Sequence, residues 1–505
     1  MELTLKKYID FWKEHPGLIY GLGICIGFAH AYTKDYTLLF PLLLLLFPAF
    51  FVHAFLPRSI ATLFLSLSAL VCGLYPFSFS DIPKEGIKGT ALFQIDSISR
   101  VKNSFSSSYL YKGSIKNFST LASTKLPCTL RIKESLNRPK GHTYLIEGTL
   151  FSKSRGNYHL KIDEKASWRR VRDYFNFSEW RFLAKESVKK HISSKVKNMH
   201  VSELLSGLFT GEITSNILKH NLKALGMQHV LAISGFHFSL LAWLLSLLIK
   251  PLLSPKLATY SLILLLTLYF LFVGPSPSVQ RAWISILIFL VGQLIGRESL
   301  PLNRLGLSLI IILLINPLSC LQMGFQLSFF ATFGILLFYP IIEEYFSRIW
   351  KKRPLSQALK FNLINKLGLI LLTFFKRTLA LNISVFLVTF LLLLTLFQEF
   401  PLLSLVYNLF FPFLLSLSFI FLILSLILDV IMPFMGTYLH MLNELYTTFI
   451  LRFITHVPTP LTNSIHTEAI SQKSLIYYFS LLLMVGIFLN RHTKEKQQSK
   501  LFNYL

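Results

Sequence analysis

The sequence is poor in charged residues, and poorest in acidic ones. Charged residues make up 15% of the 505 positions, against about 25% in an average soluble protein. Lys and Arg outnumber Asp and Glu by 50 to 24. This composition excludes an ordinary cytosolic enzyme and an acidic disordered protein. With 53% hydrophobic residues and a net charge of +26, it is typical of a polytopic membrane protein whose few charges are mostly cationic.

Residues that bind metals or phosphates in short motifs are also scarce. The four cysteines are too scattered for a disulfide framework or a zinc site, and no two of the 14 histidines lie closer than eight positions apart. The sequence has no Gly-x-x-x-x-Gly-Lys-Ser/Thr phosphate loop. It therefore predicts no metal, no cofactor and no ATPase or nuclease activity.

Long apolar runs are what the sequence has in abundance. A membrane-spanning helix needs about 20 apolar residues, and about eleven runs approach this length. We interpret the first run as a retained helix rather than a cleaved signal peptide, because it lacks a convincing cleavage site and further runs follow at once. The predicted spans are Leu18–Tyr32, Leu38–Phe55, Ile60–Phe77, His229–Ile249, Leu257–Val273, Val279–Ile295, Leu305–Cys320, Phe325–Tyr339, Leu379–Phe397, Leu402–Leu428 and Leu475–Leu489.

The distribution of Lys and Arg predicts the orientation of these spans. With the N-terminus inside, alternate crossings place most short basic loops inside, among them Arg348 to Arg377 with eight cations and no acid. Eleven crossings would leave the basic tail outside. Either the run Leu402–Leu428, which Pro412 interrupts, forms two short passes, or a further crossing lies near residues 438–457.

A polar stretch separates the third and fourth apolar runs. It contains five strand-like segments, and apolar and polar residues alternate cleanly in the third and the fifth. The segments are Thr90–Ile98, Ser108–Phe118, Leu126–Glu134, His142–Phe151 and Asn157–Glu164. Five short strands predict a small all-β barrel of the OB type, a fold that often binds nucleic acids or sugars. We predict N-terminal transmembrane helices at 1–79, an OB-like extracytoplasmic domain at 80–177 and a membrane channel domain at 178–505.

The polar stretch is strongly basic. Residues 81–200 contain 24 Lys and Arg against 10 Asp and Glu, a net charge of +14. Cations and tyrosines on one domain suit a groove that neutralises phosphates and stacks on bases. Alternatively, the charges solvate the domain or contact anionic lipids, and the tyrosines lie in its core. The candidate DNA-binding residues are Tyr109, Tyr111, Arg131, Lys133, Tyr144, Tyr158 and Lys161.

Polar residues also occur within the predicted spans, where they are costly and usually functional. In the predicted orientation they all lie at the outer ends of inward-running spans, so we predict that they line a water-filled funnel in which Arg281 meets an anionic substrate. These candidate path residues are His229, Ser234, Gly235, His237, Gln280, Arg281, Gln326, Ser328 and Asn408.

Each of these residues also has a structural interpretation. Ser234 and Gly235 suit a small-residue helix contact. Gln326 and Asn408 suit interhelical hydrogen bonds, and Arg281 and His229 suit snorkelling to the headgroups. An intramembrane serine protease is disfavoured, because Ala232-Ile-Ser234-Gly has Ala where rhomboid-type sites have Gly and because Ser234 and His237 share one helix.

The motifs between residues 205 and 408 resemble those of ComEC-type competence proteins, in order and in spacing. The layout of N-terminal helices and a small OB-like domain also matches that family. The motifs that carry the resemblance are Gly207, Gly211, Gly226-Met-Gln-His229-Val-Leu-Ala-Ile-Ser234-Gly-Phe-His237, Gly274–Ala282, Pro301-Leu-Asn303, Asn316-Pro317, Gly324-Phe-Gln-Leu-Ser-Phe329 and Asn408.

This resemblance implies a multi-pass channel in the bacterial inner membrane that passes single-stranded DNA into the cytoplasm during natural transformation. It also implies partners: membrane lipids, a DNA receptor, a separate nuclease, a cytoplasmic helicase motor and a second copy of the chain. Two alternatives stay open, namely a transporter of another anionic substrate, such as a lipid-linked or phosphorylated metabolite, and an intramembrane hydrolase.

The sequence departs from the family pattern at two points. Many members carry a C-terminal metallo-β-lactamase-like domain, whereas the 505 residues end soon after the last apolar run and hold none of its ligands. We therefore expect a form without that domain, which needs a nuclease from elsewhere. In addition, Gly211 is followed by Glu212, where family sequences often have Asp.

Overall fold

The structure is a computed structural model, and it combines a β-sheet with a large set of helices. It describes residues 2–47, 55–74, 86–102, 107–118, 126–133, 143–154, 157–162, 169–172, 177–213, 215–230, 235–297, 299–350, 362–455, 464–468 and 470–502.

The polar stretch folds into a mixed β-sheet, as its alternation predicts. A strand covers most of each of the five predicted segments, and the described residues add a sixth strand. The strands are β1 (Ile87–Lys102), β2 (Ser107–Phe118), β3 (Leu126–Lys133), β4 (Thr143–Ser154), β5 (Asn157–Ile162) and β6 (Arg169–Arg172).

The sheet closes on itself. Its order is β1-β2-β3-β5-β4-β6, and β1 also pairs with β4. The β3–β5 pair is parallel, whereas the other neighbours are antiparallel. Closure buries one face of β1 to β5 around a core that includes Phe93, Leu130 and Ile146. The alternation of Cys128, Leu130 and Ile132 with Thr129, Arg131 and Lys133 therefore separates inward from outward positions.

Helices make up most of the remaining described residues. Their bounds are α1 (Glu2–Glu14), α2 (Pro16–Thr33), α3 (Leu39–Leu46), α4 (Leu56–Leu74), α5 (Phe177–Lys195), α6 (Met199–Thr210), α7 (Asn216–Ala224), α8 (Gly235–Ile249), α9 (Pro255–Val273), α10 (Pro277–Leu294), α11 (Pro301–Ile315), α12 (Met323–Ile349), α13 (Leu363–Phe397), α14 (Ser404–Ile431), α15 (Pro433–Thr455) and α16 (Gln472–Phe502). A two-stranded sheet pairs β7 (Glu399–Pro401) with β8 (Ser464–His466).

Among the described residues, six helical segments are long and apolar enough to cross a membrane. They are Pro255–Val273, Pro277–Leu294, Met323–Ile349, Leu363–Phe397, Ser404–Ile431 and Lys473–Thr493. The protein is therefore a multi-pass membrane protein, as its composition predicts.

The other five predicted spans are shorter or less apolar as helices. In the second predicted span, Leu38–Phe55, the α-helix α3 covers only part of the length, and residues 48–54 lie outside the described residues. The run Leu305–Cys320 ends as a helix at Ile315, because Asn316 is extended and Pro317 begins a 3₁₀ turn. The total of eleven stays a prediction.

The end of the chain resolves one alternative. The helix α14 is continuous through Pro412, so the run Leu402–Leu428 does not form two short helical passes. A separate 23-residue helix, α15, covers the place where the sequence predicts a hidden crossing.

The contacts divide the chain into two compact units. Unit 1 comprises Met1–Gly73, Gln280–Pro412 and Thr459–Leu505, and unit 2 comprises Leu74–Val279 and Phe413–Pro458. Unit 1 has a core around Phe11, Trp12 and Leu337. Unit 2 contains the barrel. The two units are defined by contacts between residues, whereas the predicted domains at 1–79, 80–177 and 178–505 are defined by changes of composition along the sequence.

One motif of the resemblance has a structural role in unit 1. The Asn303 side chain accepts a hydrogen bond from Gly17 N at 3.0 Å and donates one to Glu14 O at 2.9 Å. It thereby satisfies one backbone group on each side of the break between α1 and α2. Such groups at helix ends have no partner within the helix.

The barrel offers a test of its closure through Gly113 and the buried Cys128, which are register partners on β2 and β3. A Cβ atom on Gly113 would overlap the Gln94 carbonyl oxygen. Overpacking typically costs about 1–3 kcal/mol, so Gly113→Val should open the barrel more often. In wild type, burial raises the pKa of the Cys128 thiol to about 12, and the reactive thiolate is scarce at pH 8.

The measurement is maleimide labelling of Cys128 at pH 8 in a full-length chain whose other cysteines are alanine. Gly113→Val should label at least about tenfold faster than the parent chain. Lys112→Thr changes an exposed neighbour on the same strand and should leave the rate unchanged. Equal labelling of the Gly113→Val chain and its parent would contradict this account of the barrel.

Candidate functional site

The outer surface of β3 and β5 carries a basic strip. These strands pair in parallel with Thr129 opposite His159, and the Thr129 Oγ1 atom lies 3.2 Å from His159 Nδ1. The next outward positions along the two strands are Arg131 and Lys161, and both are exposed. Lys133 is also exposed and extends the strip. The three cations predicted to bind DNA therefore share one surface.

The predicted tyrosines lie elsewhere. Tyr111, Tyr144 and Tyr158 are buried in the barrel core. Base stacking needs an accessible ring face, so stacking does not fit the placement of these three, and the alternative of core tyrosines does. The alternation along β5 already indicated a core position for Tyr158, because Tyr158 is two positions from the buried Leu160 and therefore lies on the same face of the strand. Tyr109 is partly buried, with its ring 6.1 Å from that of Phe182.

The helix α5 begins within the barrel. Phe182 belongs to the barrel core, and Ser178 donates a hydrogen bond to the backbone oxygen of Ile95 on β1. A buried aromatic ring and a hydrogen bond to a strand together fix the direction in which this helix leaves the barrel.

The basic side of α5 holds a charge cluster that the sequence analysis missed. Lys185 Nζ lies 2.8 Å from Glu212 Oε1, and Lys189 Nζ lies 3.1 Å from Glu212 Oε2. Lys185 is only 5% exposed. A buried ammonium is tolerated when it is paired and hydrogen-bonded, and each Glu212 oxygen here has its own lysine. Two features of the sequence could have indicated this cluster, namely the two lysines four residues apart and the acidic residue that follows Gly211.

The turn after α6 brings Glu212 to this position. Gly211 is the C-cap residue of α6, with φ of 77°, and its N–H donates to Gly207 O. This left-handed conformation favours glycine. Gly211 belongs to the motifs that resemble the competence family, and the turn explains why a glycine precedes the acid.

The helix α5 extends between distinct parts of unit 2. Near its start, Arg181 Nε donates to Leu271 O at 2.7 Å, close to the end of α9. At its end, Lys195 Nζ donates to Thr437 Oγ1 at 2.9 Å, near the start of α15. A polar helix thus lies along apolar ones.

The first predicted path cluster spans the start of α8, also in unit 2. His229 is exposed in a 3₁₀ turn, and Gly235 is half-buried as the first residue of α8. His237 is buried, with its ring 5.4 Å from that of Phe419. Ser234 lies outside the described residues.

The cluster around Arg281 lies in unit 1. Arg281 Nε donates to Ser328 Oγ at 2.8 Å, which joins α10 to α12. Gln326 Nε2 donates to Cys320 O at 2.9 Å, within the turn that precedes α12. Gln280 is half-buried. The structure therefore brings Arg281 and Ser328 together and gives Gln326 a local hydrogen bond.

A cavity of about 190 Å³ adjoins Arg281. Its lining is mostly apolar and includes Thr332, and Arg304 contributes a second guanidinium. The Arg304 guanidinium carbon lies 4.8 Å from the centroid of the Phe289 ring, a cation–π geometry. Two cations beside one cavity suit an anion, although the apolar walls supply few further polar contacts.

Asn408 on α14 is the last predicted path residue, and it is half-buried in unit 1. Its backbone oxygen accepts a hydrogen bond from Asn382 Nδ2 at 3.2 Å. Among the described residues, its buried side-chain oxygen has no hydrogen-bond partner. A buried amide oxygen without a partner is costly, so this position needs a bound water or another polar group to satisfy it.

Comparison with known proteins places these sites in a family. The family profile described as "Competence protein" matches residues 210–492. ComE operon protein 3 of Bacillus subtilis is 35% identical over 145 residues, which cover 28% of this chain and 18% of that protein.

Two similar proteins come from mycoplasmas. The uncharacterized protein MG316 homolog of Mycoplasma pneumoniae is 30% identical over 164 residues, 32% of this chain and 40% of that protein. Uncharacterized protein MG316 of Mycoplasma genitalium is 31% identical over 137 residues, 27% of this chain and 35% of that protein. The chain thus matches less than half the length of each of these relatives. No solved structure matches it.

The profile match begins at the end of α6 and continues into α16. It includes Glu212, the start of α8, the Arg281–Ser328 pair and Asn408. Because the match spans more than half of the chain, the protein belongs to the competence protein family, and the resemblance to ComEC-type members is confirmed.

Proposed function

We propose that this protein is a channel in the bacterial inner membrane that passes single-stranded DNA into the cytoplasm during natural transformation. The observation that carries the proposal is the match of residues 210–492 to the competence family. A second observation favours a polyanion as the substrate, because exposed cations on the barrel and paired cations on α5 lie within one compact unit.

The finer architecture belongs to the same proposal. We infer that the barrel is of the OB type, since its order β1-β2-β3-β5-β4 closes through the β1–β4 pair into a five-stranded barrel. We also infer about twelve crossings, with α15 added to the eleven apolar runs. An even number returns the basic C-terminal tail to the side of the N-terminus, as the bias of Lys and Arg toward the inside requires.

In this orientation α9 runs outward and α14 runs inward. The helix α5 joins the outer end of α9, at Leu271, to the inner end of α14, at Asp429, and to the start of α15, at Thr437. Its 19 residues span about 28 Å, close to the roughly 30 Å of the hydrocarbon core. A helix with Arg181, Lys185 and Lys189 is tolerated at that depth only against protein or water. We therefore infer that α5 borders the aqueous path.

The remaining path residues have roles that follow from their chemistry. Arg281, held by Ser328, offers a fixed positive charge to a phosphate. Asn408 and Gln326 offer amide groups without net charge. Weak contacts of this kind allow a strand to move on, because conduction requires that each binding step be reversible. We expect a separate nuclease and a cytoplasmic motor among its partners.

Deletion of the gene is the direct test. In a host that takes up DNA, the deletion should abolish transformation by linear homologous DNA, because the strand then has no path across the inner membrane. Transformants per viable cell are counted, and a plasmid introduced by electroporation serves as the control, since it bypasses uptake. Undiminished transformation by linear DNA would refute the proposal.

The basic strip on the barrel leads to a binding prediction. The variant Arg131→Gln/Lys133→Gln/Lys161→Gln should bind single-stranded DNA more weakly and with less salt dependence. Each phosphate contact contributes about −0.7 to the slope of log K against log salt for single strands, so loss of three contacts should make the slope shallower by about 2.

This binding is measured by fluorescence anisotropy of a labelled oligothymidine with the full-length protein in detergent. The control variant Lys494→Gln/Lys496→Gln/Lys500→Gln removes the same charge from the C-terminal helix and should retain the wild-type slope. If both variants lose affinity equally, net charge rather than the strip attracts DNA.

The path residues lead to an accessibility prediction in a chain whose four cysteines are alanine. A membrane-impermeant maleimide added from outside should label the path variants Ser234→Cys, Arg281→Cys, Gln326→Cys and Asn408→Cys. Thiols react as thiolates in water, so the variants Leu264→Cys and Leu387→Cys, at exposed apolar positions on α9 and α13, should stay unlabelled. Equal labelling of the two sets would exclude a water-filled path at these positions.

A further inference from the structure

Three side chains that are far apart in the sequence meet in unit 2. His191 lies on α5, Asp429 lies near the end of α14, and His440 lies on α15. We propose that these residues form a binding site for a divalent transition-metal ion of the zinc type. We call them the His–Asp–His site. The proposal is independent of the DNA-channel function.

The three ligand atoms converge on one point. His191 Nε2 lies 2.7 Å from Asp429 Oδ2, and His440 Nε2 lies 2.9 Å from the same oxygen. One ligand atom from each residue lies within 4.8 Å of the others. Ligand atoms bound tetrahedrally at about 2.0–2.1 Å are about 3.3 Å apart. Each imidazole nitrogen therefore needs to move about half an ångström away from Asp429 Oδ2, and the two nitrogens, which lie within 4.8 Å of each other, need to settle at the same spacing.

The most adjustable residue is on the open side of the site. The His191 side chain is 44% exposed, whereas Asp429 and His440 are 8% and 0% exposed. Rotation of the His191 ring can therefore lengthen its own distance to Asp429, whereas the His440–Asp429 distance of 2.9 Å needs a small shift of one of those two buried side chains. The exposed side also gives the ion an entry route and leaves a coordination position for water.

The buried carboxylate supplies an independent observation. Among the described residues, Asp429 Oδ1 is buried without a hydrogen-bond partner, which is costly for a charged group. The backbone at Gly436 packs against this oxygen so closely that a Cβ atom would overlap it. An ion bound to both carboxylate oxygens would remove this cost, since it would satisfy Oδ1 as well as Oδ2.

The nearest cation on α5 is held to one side. Lys195 follows His191 by one turn, and its ammonium donates to Thr437 Oγ1 at 2.9 Å. It therefore has a partner of its own on α15. Its charge nonetheless opposes a bound cation, which sets a limit on the affinity of the site.

The donor set selects the class of ion. Two imidazole nitrogens and one carboxylate suit zinc and its first-row neighbours. Calcium takes six to eight oxygen ligands and magnesium prefers oxygen with several waters, so neither suits this set. An ion bound here would join α5, which begins in the barrel, to the junction of α14 and α15.

The test uses the full-length protein in detergent, stripped of metal and purified without a histidine tag. Zinc binding is measured by titration calorimetry, and cobalt is added in parallel because its visible absorption reports tetrahedral nitrogen and oxygen ligands. We expect one equivalent of zinc in wild type. His191→Ala and His440→Ala should each weaken this binding by at least about 100-fold, because each removes one of three ligands.

The controls separate binding at this site from adventitious binding. His200→Ala and His220→Ala change exposed histidines of the same unit and should leave the equivalent of zinc unchanged. His191→Ala alters an exposed residue and keeps the test valid if the His440→Ala protein does not fold. Absence of stoichiometric zinc binding in wild type, or unchanged binding in His191→Ala, would overturn the proposal and leave a hydrogen-bonded triad only.

Discussion

The pairing of Glu212 with Lys185 and Lys189 is the contact on which the helical part of unit 2 depends. Each carboxylate oxygen contacts a different ammonium group, and Lys185 is almost fully buried. Removal of one partner from such a pair leaves an uncompensated buried charge, which costs several kcal/mol. The turn at Gly211 brings Glu212 to the two lysines. The backbone must therefore turn at this point after α6 for the buried charges of α5 to be neutralised.

Because its charges are paired, α5 can pack beside strongly apolar helices. At one end Phe182 packs in the barrel core, and at the other Lys195 and His191 contact α15 and α14. This helix thereby connects the barrel core to the end of α14 and the start of α15. In the proposed channel, the element that first receives DNA is thus joined directly to helices of the membrane domain.

Much of the fold could be predicted from short sequence patterns. Strand-like segments were predicted at nearly the observed bounds of β1 to β5, and apolar runs predicted the long helices α9, α10, α12, α13, α14 and α16. Proline and glycine positions explain several helix ends, such as the end of α11 before Pro317. The tyrosines show the limit of composition. The composition predicted that bases stack on Tyr111, Tyr144 and Tyr158. However, Tyr158 is two positions from Leu160 on β5, so the alternation along this strand already indicated that both side chains face the core. Binding chemistry inferred from residue type alone therefore overlooked the face that each side chain occupies.

The sequence by itself determined that this is a multi-pass membrane protein with a basic β-domain, because hydropathy and alternation are local properties of the chain. It also determined the family, through motifs that follow one another in the order and at the spacing found in competence proteins. Only the tertiary structure decided which polar residues meet. Arg281 and Ser328 are 47 positions apart, and His191 and Asp429 are 238 positions apart. Contacts over such separations depend on how helices pack, and no local pattern encodes that packing.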